Sequence, residues 1–175
     1  MNLTSNYTMS EIDEFIKAHK IEEEKSQSNN LKKLLNVHNK IAIFKNIDPI
    51  YLKAIIYDLK FLKYNYKDYI IRENDKSKDI FFLIEGECQV FHKEKKVGIL
   101  GAGNIFGESG VIFKTERNAS VVCASKTATL LSFKIDEDSS EFTGPALAIL
   151  YKNLAFQINT KLEELNDVYI HKHPF

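Results

Sequence analysis

The feature that most constrains the fold of this chain is a series of short β-rich runs between residues 62 and 133, each followed by turn residues. Apolar runs such as Ile80–Ile84 and Cys88–Phe91 alternate with turns, and helical periodicity nearly vanishes between them. Six of the seven glycines lie within Gly86–Gly110, which concentrates backbone freedom around these turns. The pattern predicts a mainly β fold with flanking helices, in which residues 61–135 form an antiparallel β-roll of the double-stranded β-helix or jelly-roll type.

One turn of this stretch is indicated by Asn74. It stands in the sequence Glu73-Asn74-Asp75, directly after a β-rich run. Asparagine is the residue other than glycine that best tolerates a left-handed backbone. We therefore expect Asn74 to make a tight turn.

A short helical pattern and a polar stretch lie near the N-terminus. Ser10 is a candidate cap for a helix whose modest apolar stripe contains Ile12, Phe15 and Ile16. The polar sequence Ser26–Asn30 is interpreted as a linker to a second helix, expected from residue 31.

A third helix is predicted after residue 48. Asp48 is its expected cap, and Pro49 occupies the first helical position. Apolar residues continue at helical spacing toward residue 60, so the helical region is assigned to residues 31–60. These residues are Ile50, Leu52, Ile55, Ile56 and Leu59.

A long C-terminal helix is predicted from Pro145 to about Asn166. Its apolar stripe is wider than a single contact needs. One face can cover the roll, and the other either pairs with the same helix of a second subunit or is buried in the same monomer. The stripe consists of Leu147, Leu150, Leu154, Ile158, Leu162 and Leu165.

The charge balance argues against a nucleic-acid or membrane-surface partner. Lys plus Arg and Asp plus Glu number 24 each, so the formal net charge is zero. No run approaches the roughly 18 apolar residues that a bilayer span needs, and the polar N-terminus lacks the apolar core of a signal peptide. We therefore expect a cytoplasmic protein without membrane or nucleic-acid partners.

The cysteines and histidines indicate neither a disulfide nor a metal centre. Cys88 and Cys123 lie in apolar β-like runs, where buried reduced thiols are the expected state. The histidines lack metal-ligand spacing, except for His171 and His173 near the C-terminus. A metal enzyme on a cupin-like roll would need closely spaced histidines within strands, so we expect no metal, no cofactor and no catalytic activity.

The sequence Gly103–Val122 can place an acid, a tight turn and an arginine around one small phosphate ester. Gly107 permits close backbone approach, and the N–H groups after Glu108 can face an anion. Arg117 can hold a phosphate through two parallel hydrogen bonds. A carboxylate beside an anion is repelled unless it accepts hydrogen bonds from sugar hydroxyls, so the set indicates a ribose joined to a phosphate. The simpler alternative is a surface ion pair between Arg117 and Glu116.

This segment resembles the phosphate-binding cassette of cyclic nucleotide-binding domains, the family of the catabolite activator protein and the kinase regulatory subunits. The family pattern is Phe-Gly-Glu, two or three aliphatic or small residues, a variable stretch, and Pro-Arg-Ala-Ala-Thr before a hydrophobic strand. The residues that fit it without a gap are Phe106, Gly107, Glu108, Arg117, Ala119, Ser120 and Val121.

The resemblance implies binding of a cyclic mononucleotide, cAMP or cGMP. Glu108 and the Gly107 amide would bind the ribose 2′-hydroxyl, and Arg117 would pair with the equatorial phosphate oxygen. Amides near Ser109, Gly110 and Asn118 would complete the cradle. The implied ligand-binding set is Gly107, Glu108, Ser109, Gly110, Arg117, Asn118, Ala119 and Ser120.

Four positions depart from the family pattern. Ser109 replaces an aliphatic residue, and Gly110 replaces the usual Ala, which loosens the first helical turn by about 1 kcal/mol. Glu116 stands where the family has Pro. Asn118 occupies the position that helps the family to distinguish adenine from guanine ligands.

The resemblance thus implies a regulatory module that signals in trans through movement of its C-terminal helix, with a separate effector protein and a possible homodimer as partners. Fewer than ten residues follow Asn166, so we expect no helix-turn-helix module. The alternative is a degenerate domain that acts as a dimerisation or interaction scaffold without ligand. The predicted division is an extension and linker (1–30), the binding domain (31–167, with the roll at 61–135 and the final helix at 145–166) and a tail (168–175).

Overall fold

The computed structural model describes residues 24–35, 38, 41–135 and 144–172 of the 175-residue chain. The predicted helix after Ser10, the predicted break at residues 136–140 and His173 lie outside the described residues. Helix α1 covers residues 24–35, a 3-10 turn covers Ala42–Phe44, and α2 covers Pro49–Ile55. After the strands, α4 covers Gly144–Lys172, and the short α3, Glu108–Ile112, lies between two of them. The strands are β1 (Ile56–Asn65), β2 (Tyr69–Ile71), β3 (Ile80–Glu85), β4 (Glu87–His92), β5 (Lys95–Gly101), β6 (Ile105–Phe106), β7 (Ser120–Cys123) and β8 (Thr127–Ile135).

The strands form two four-stranded sheets, in the orders β1-β8-β3-β6 and β2-β7-β4-β5. Every strand pair is antiparallel, which confirms the predicted β-roll. One core lies between the sheets, where Leu83 and Leu130 of the first sheet cluster with Cys88 and Val121 of the second. Because side chains alternate between the faces of a strand, each sheet contributes every second residue to this core.

A second core joins the first sheet to the helices. Phe44 of the 3-10 turn is fully buried, and its ring lies 5.3 Å from that of Phe133 in β8. Leu150 and Leu154 of α4 are also fully buried in this cluster. The first sheet is therefore covered on its outer face, which fixes the helices relative to the roll.

Helix α2 begins as predicted and ends earlier than predicted. The carboxylate of Asp48 accepts a hydrogen bond from the Ile50 N–H, with Pro49 at the start of the helix. The helix ends at Ile55, and Ile56 and Leu59 belong to β1, so the predicted end of the helical region at residue 60 was wrong. A register shift between Tyr57 and Lys60 allows Ile56 and Leu59 to be buried on the same side of β1. Their separation of three residues resembles helical spacing in the sequence.

The interpretation of Ser26–Asn30 as a linker was also wrong, because these residues are helical within α1. Two amide side chains attach this helix to the bulge of β1. The Leu59 N–H donates to Gln27 Oε1 at 3.1 Å, and Asn30 Nδ2 donates to the Leu59 carbonyl at 3.0 Å. The polar residues that suggested a linker thus satisfy backbone groups that the bulge leaves without a strand partner.

Helix α4 extends beyond its predicted end at Asn166. Its first turns are anchored by buried Leu147 and by Asn153 Nδ2, which donates to the carbonyls of Ile43 and Lys45 at 2.9 Å each. Farther along, Phe156 is 68% exposed and Leu162 is 54% exposed. Within the described residues, no helix combines the length and the apolar character needed to cross a bilayer.

Both cysteines are buried free thiols, as predicted. Cys88 of β4 lies opposite Cys123 of β7 in the antiparallel register. Burial, together with the nearby Cys123, raises the pKa of Cys88 to about 12. Such a thiol is almost entirely protonated near neutral pH, which suppresses nucleophilic chemistry.

Candidate functional site

The cassette begins with a left-handed turn at Gly107. Its φ is 85°, and a Cβ added there would lie 2.8 Å from the Asp79 carbonyl oxygen and 2.9 Å from Nη1 of Arg117. A side chain is therefore excluded both by backbone conformation and by space. The turn leads into α3, where the N–H groups of the first turn have no partner within the helix.

Arg117 is buried, with 3% of its surface exposed, and its guanidinium is held by three internal acceptors. Nη1 donates to the Gly107 carbonyl and Nη2 to the Asp79 carbonyl, both at 2.6 Å, and Nε donates to Ser77 Oγ at 3.2 Å. A guanidinium has five N–H donors, so two are left after these three bonds. The Glu116 carboxylate lies 3.7 Å from Lys76 instead, so the alternative of a surface pair between Glu116 and Arg117 was wrong.

Burial lowers the pKa of the Arg117 guanidinium, and the negative charges of Asp79, Asp75 and Glu108 oppose that shift. An arginine nevertheless stays protonated in proteins. The site therefore contains a fixed positive charge whose desolvation is only partly offset by nearby acids.

The backbone of Arg117 is fixed by the turn at Asn74. Asn74 has a φ of 69°, which confirms the predicted left-handed turn. Its N–H donates to the Arg117 carbonyl at 2.9 Å, and the Arg117 N–H donates to the Asp75 carbonyl at 2.9 Å. The neighbouring Lys78 donates from Nζ to the Gly110 carbonyl at 2.9 Å. The loop between β2 and β3 thus holds both the arginine and α3.

Glu108 is buried and paired with a residue of the C-terminal helix. Its side chain is 9% exposed, and its Oε1 lies 2.8 Å from Nζ of Lys161. The same ammonium group donates to the carbonyl oxygen of Ile105. The contact connects α4 directly to the first residue of α3.

A cavity of about 200 Å³ lies beside these groups. Apolar side chains of both the roll and the cassette form part of its wall, including Ile71, Val90 and Leu100. Its charged lining residues are Glu108, Arg117 and Lys161, which sum to one positive charge. This combination of an apolar wall, a net positive charge and one carboxylate suits an anion that also carries hydroxyl and ring groups.

The structure brings most of the predicted site residues to this cavity. Those that line it are Gly107, Glu108, Ser109, Gly110, Arg117, Asn118 and Ala119. Ser120 is not among the lining residues, and its Oγ accepts a 2.9 Å hydrogen bond from the Glu73 N–H. The Asn118 carbonyl accepts from Nδ1 of His92 at 2.8 Å, so the backbone of this end of the cassette is tied to the end of β4.

The sequence did not reveal the residues outside the cassette that hold its side chains in place. Ser77 and Asp79 stand in a polar stretch that reads as an ordinary loop, and only their contacts with Arg117 reveal their role. Lys161 follows the polar residues Asn159 and Thr160, which bond within α4 to Glu163 and Phe156. A lysine on a long helix carries no sequence signal for a contact with Glu108, 53 residues away.

Known proteins match the same region. A family model for the cyclic nucleotide-binding domain matches residues 61–137. The chain is 30% identical over 135 residues to potassium/sodium hyperpolarization-activated cyclic nucleotide-gated channel 2 of Mus musculus, which covers 75% of this chain and 15% of the channel. The chain thus spans only a small part of the length of that curated relative.

Solved structures agree on the architecture. The fold is similar to that of cAMP-bound PfPKA-R, with a TM-score of 0.56 and 22% identity over 79% of this chain and 48% of that chain. It is also similar to the catabolite activator protein of Thermus thermophilus, with a TM-score of 0.53 and 22% identity over 71% of this chain and 60% of that chain. Residues 61–137, which contain most of the β-roll, therefore match the cyclic nucleotide-binding domain family, and the two solved structures share the architecture of this chain.

Proposed function

We propose that this chain is a regulatory module that binds a cyclic mononucleotide, cAMP or cGMP, and signals in trans through α4. The observation that carries the proposal is the position of Arg117, buried against Gly107 and lining the cavity together with Glu108. Two guanidinium N–H groups beyond its three internal bonds are available for the phosphate oxygens. Glu108 accepts the ribose 2′-hydroxyl, and the N–H groups of Ser109, Gly110 and Asn118 complete the cradle.

The size of the cavity supports a role for α4. Ligand pockets usually measure about 300–1,000 Å³, whereas this cavity measures about 200 Å³. A nucleotide therefore either extends out of the cavity or displaces part of its wall. Lys161 places α4 in that wall, so a change in the position of α4 accompanies binding and transmits it.

Partners act on the same helix in this proposal. The exposed side chains of Phe156 and Leu162 on α4 offer apolar surface to an effector protein or to a second copy of the chain. In this role the β-roll and α4 bind the nucleotide and transmit the signal, while any catalytic step falls to the effector protein. Sedimentation of the purified chain with and without nucleotide distinguishes a homodimer from a monomer that awaits a partner.

Isothermal titration calorimetry tests the proposal. The full chain, shown to be folded and free of bound nucleotide by its absorbance at 260 nm, is titrated with cAMP, cGMP and a cyclic dinucleotide. Saturable heat with one of the two mononucleotides is expected. Absence of heat with all three would favour the scaffold function instead.

A further inference from the structure

We infer that Lys161 is a positioning residue of the ligand site, which neutralises Glu108 so that this carboxylate can accept a sugar hydroxyl beside a bound anion. The inference rests on the proposed function and deepens it. It assigns a role in ligand binding to a residue of α4, which lies outside the cassette.

The first step of the argument is the burial of Glu108. Its side chain is 9% exposed and faces the cavity that Arg117 also lines. A desolvated carboxylate is costly without a partner, and beside a phosphate it also repels the ligand. Some positive group must therefore offset its charge before an anion can bind.

Lys161 provides that charge from α4. Its Nζ lies 2.8 Å from Glu108 Oε1, and a second bond to the Ile105 carbonyl fixes the ammonium group at the β6 end of the cassette. The Lys161 side chain is 31% exposed, so it reaches inward from the surface of the helix. The second oxygen of the Glu108 carboxylate is then left for the sugar.

Lys161 changes the net charge of the residues that line the cavity. With Glu108, Arg117 and Lys161 the lining carries one net positive charge, and without Lys161 it carries none. A monoanionic diester would then meet a lining with no net positive charge, in which the Glu108 carboxylate has lost its ion-pair partner. The contact between Lys161 and Glu108 thus couples binding of the anion to the position of α4 on the cassette.

The test uses two substitutions and their combination in the full chain. Affinities for cAMP and cGMP are measured by calorimetry for the parent, Lys161→Met, Glu108→Gln and the double variant. Lys152→Met, an exposed lysine on the same helix, is the matched control. We expect Lys161→Met to weaken binding at least tenfold in the parent and less than threefold in the Glu108→Gln background, because the neutral amide leaves no charge to offset. The control keeps the parent affinity.

Two affinity results overturn the inference. An equal loss in both backgrounds would mean that Lys161 contacts the phosphate itself. A gain in affinity for Lys161→Met would mean that the ion pair blocks the site.

Urea unfolding of the ligand-free variants separates this inference from the proposed function. We expect Lys161→Met to lower the urea midpoint and the added Glu108→Gln to restore part of the loss, since the uncompensated buried charge is then removed. If the parent binds neither nucleotide, the proposed function fails, and Lys161 loses its role in binding with it. An unchanged midpoint in Lys161→Met shows instead that Lys161 does not compensate Glu108, whatever the parent binds.

Discussion

The carbonyl oxygen of Gly107 accepts a 2.6 Å hydrogen bond from Nη1 of Arg117, so the turn that begins the cassette is joined directly to the arginine near its end. The contact closes a loop of ten residues around α3. The position of the guanidinium therefore depends on the left-handed backbone at Gly107, and the two residues should respond together to mutation.

Gly107→Ala is expected to destabilise the fold and to abolish nucleotide binding. The left-handed conformation costs an alanine about 1–2 kcal/mol, and the added Cβ also meets the Asp79 carbonyl at 2.8 Å. Gly103→Ala is the matched control, since Gly103 has a φ of 91° but open space around its Cβ position. Urea unfolding should show a larger loss for Gly107→Ala than for Gly103→Ala, and calorimetry should show intact binding in the control. Equal losses in both variants would mean that crowding at Gly107 is unimportant.

Glu108→Gln is expected to reduce the preference for ribose over 2′-deoxyribose ligands. A carboxylate accepts a hydroxyl hydrogen bond more strongly than a neutral amide does, by roughly a factor of two in energy. Affinities for cAMP and 2′-deoxy-cAMP, measured in parent and variant, give the preference directly. An unchanged ratio would show that Glu108 does not touch the sugar.

Asp58 provides a test of the bulge in β1. Burial acts to raise the pKa of this carboxyl, but hydrogen bonds from Lys134 and Lys60 outweigh it and hold the pKa below its ordinary value. The ion pairs measure 2.8 Å and 2.5 Å, and the φ of Asp58 is 53°. Because asparagine also tolerates a left-handed backbone, Asp58→Asn removes only the charge, whereas Asp58→Ala adds strain.

We expect Asp58→Asn to cost up to about 1 kcal/mol at neutral pH and Asp58→Ala about 1–2 kcal/mol more. A lowered carboxyl pKa stabilises the fold above the unfolded value of 3.8, and this contribution disappears as pH falls through the folded pKa. The difference between parent and Asp58→Asn should therefore shrink below about pH 4. Urea unfolding at pH 7 and pH 3 measures it, and a difference that grows on acidification would contradict the ion pairs.

Cys88 should resist alkylation in the folded protein. Burial raises the pKa of its thiol to about 12, so the reactive thiolate is scarce at pH 8. Mass spectrometry after iodoacetamide treatment should find Cys88 unmodified in the native chain and modified in urea. Rapid native labelling would indicate that the core between the sheets opens readily.

Local features of the fold were predictable from the sequence, and long-range ones were not. Asn74 and Asp48 could be assigned because a left-handed turn and a helix cap depend on the residue itself and its neighbours. Ile56 was misassigned because the bulge that buries it arises from pairing with β8, which the sequence of β1 alone does not specify.

The candidate site shows the same division. The motif identified Glu108 and Arg117, and the structure buries both beside one cavity. The partners of their side chains come from other elements: Asp79 from the loop before β3 and Lys161 from α4. Their separation in sequence leaves no local pattern, so only the folded chain reveals them.

The most direct test of the central claim is the affinity of the folded, nucleotide-free chain for cAMP and cGMP, measured by calorimetry beside Arg117→Lys and Arg117→Ala. Circular dichroism first establishes that the variants are folded, since Arg117 also bonds the Gly107 and Asp79 carbonyls. We predict binding by the parent, a loss of at least about 2 kcal/mol in Arg117→Ala, and partial retention in Arg117→Lys, which keeps the charge without the planar fork. Equal affinity of parent and folded Arg117→Ala would contradict the account.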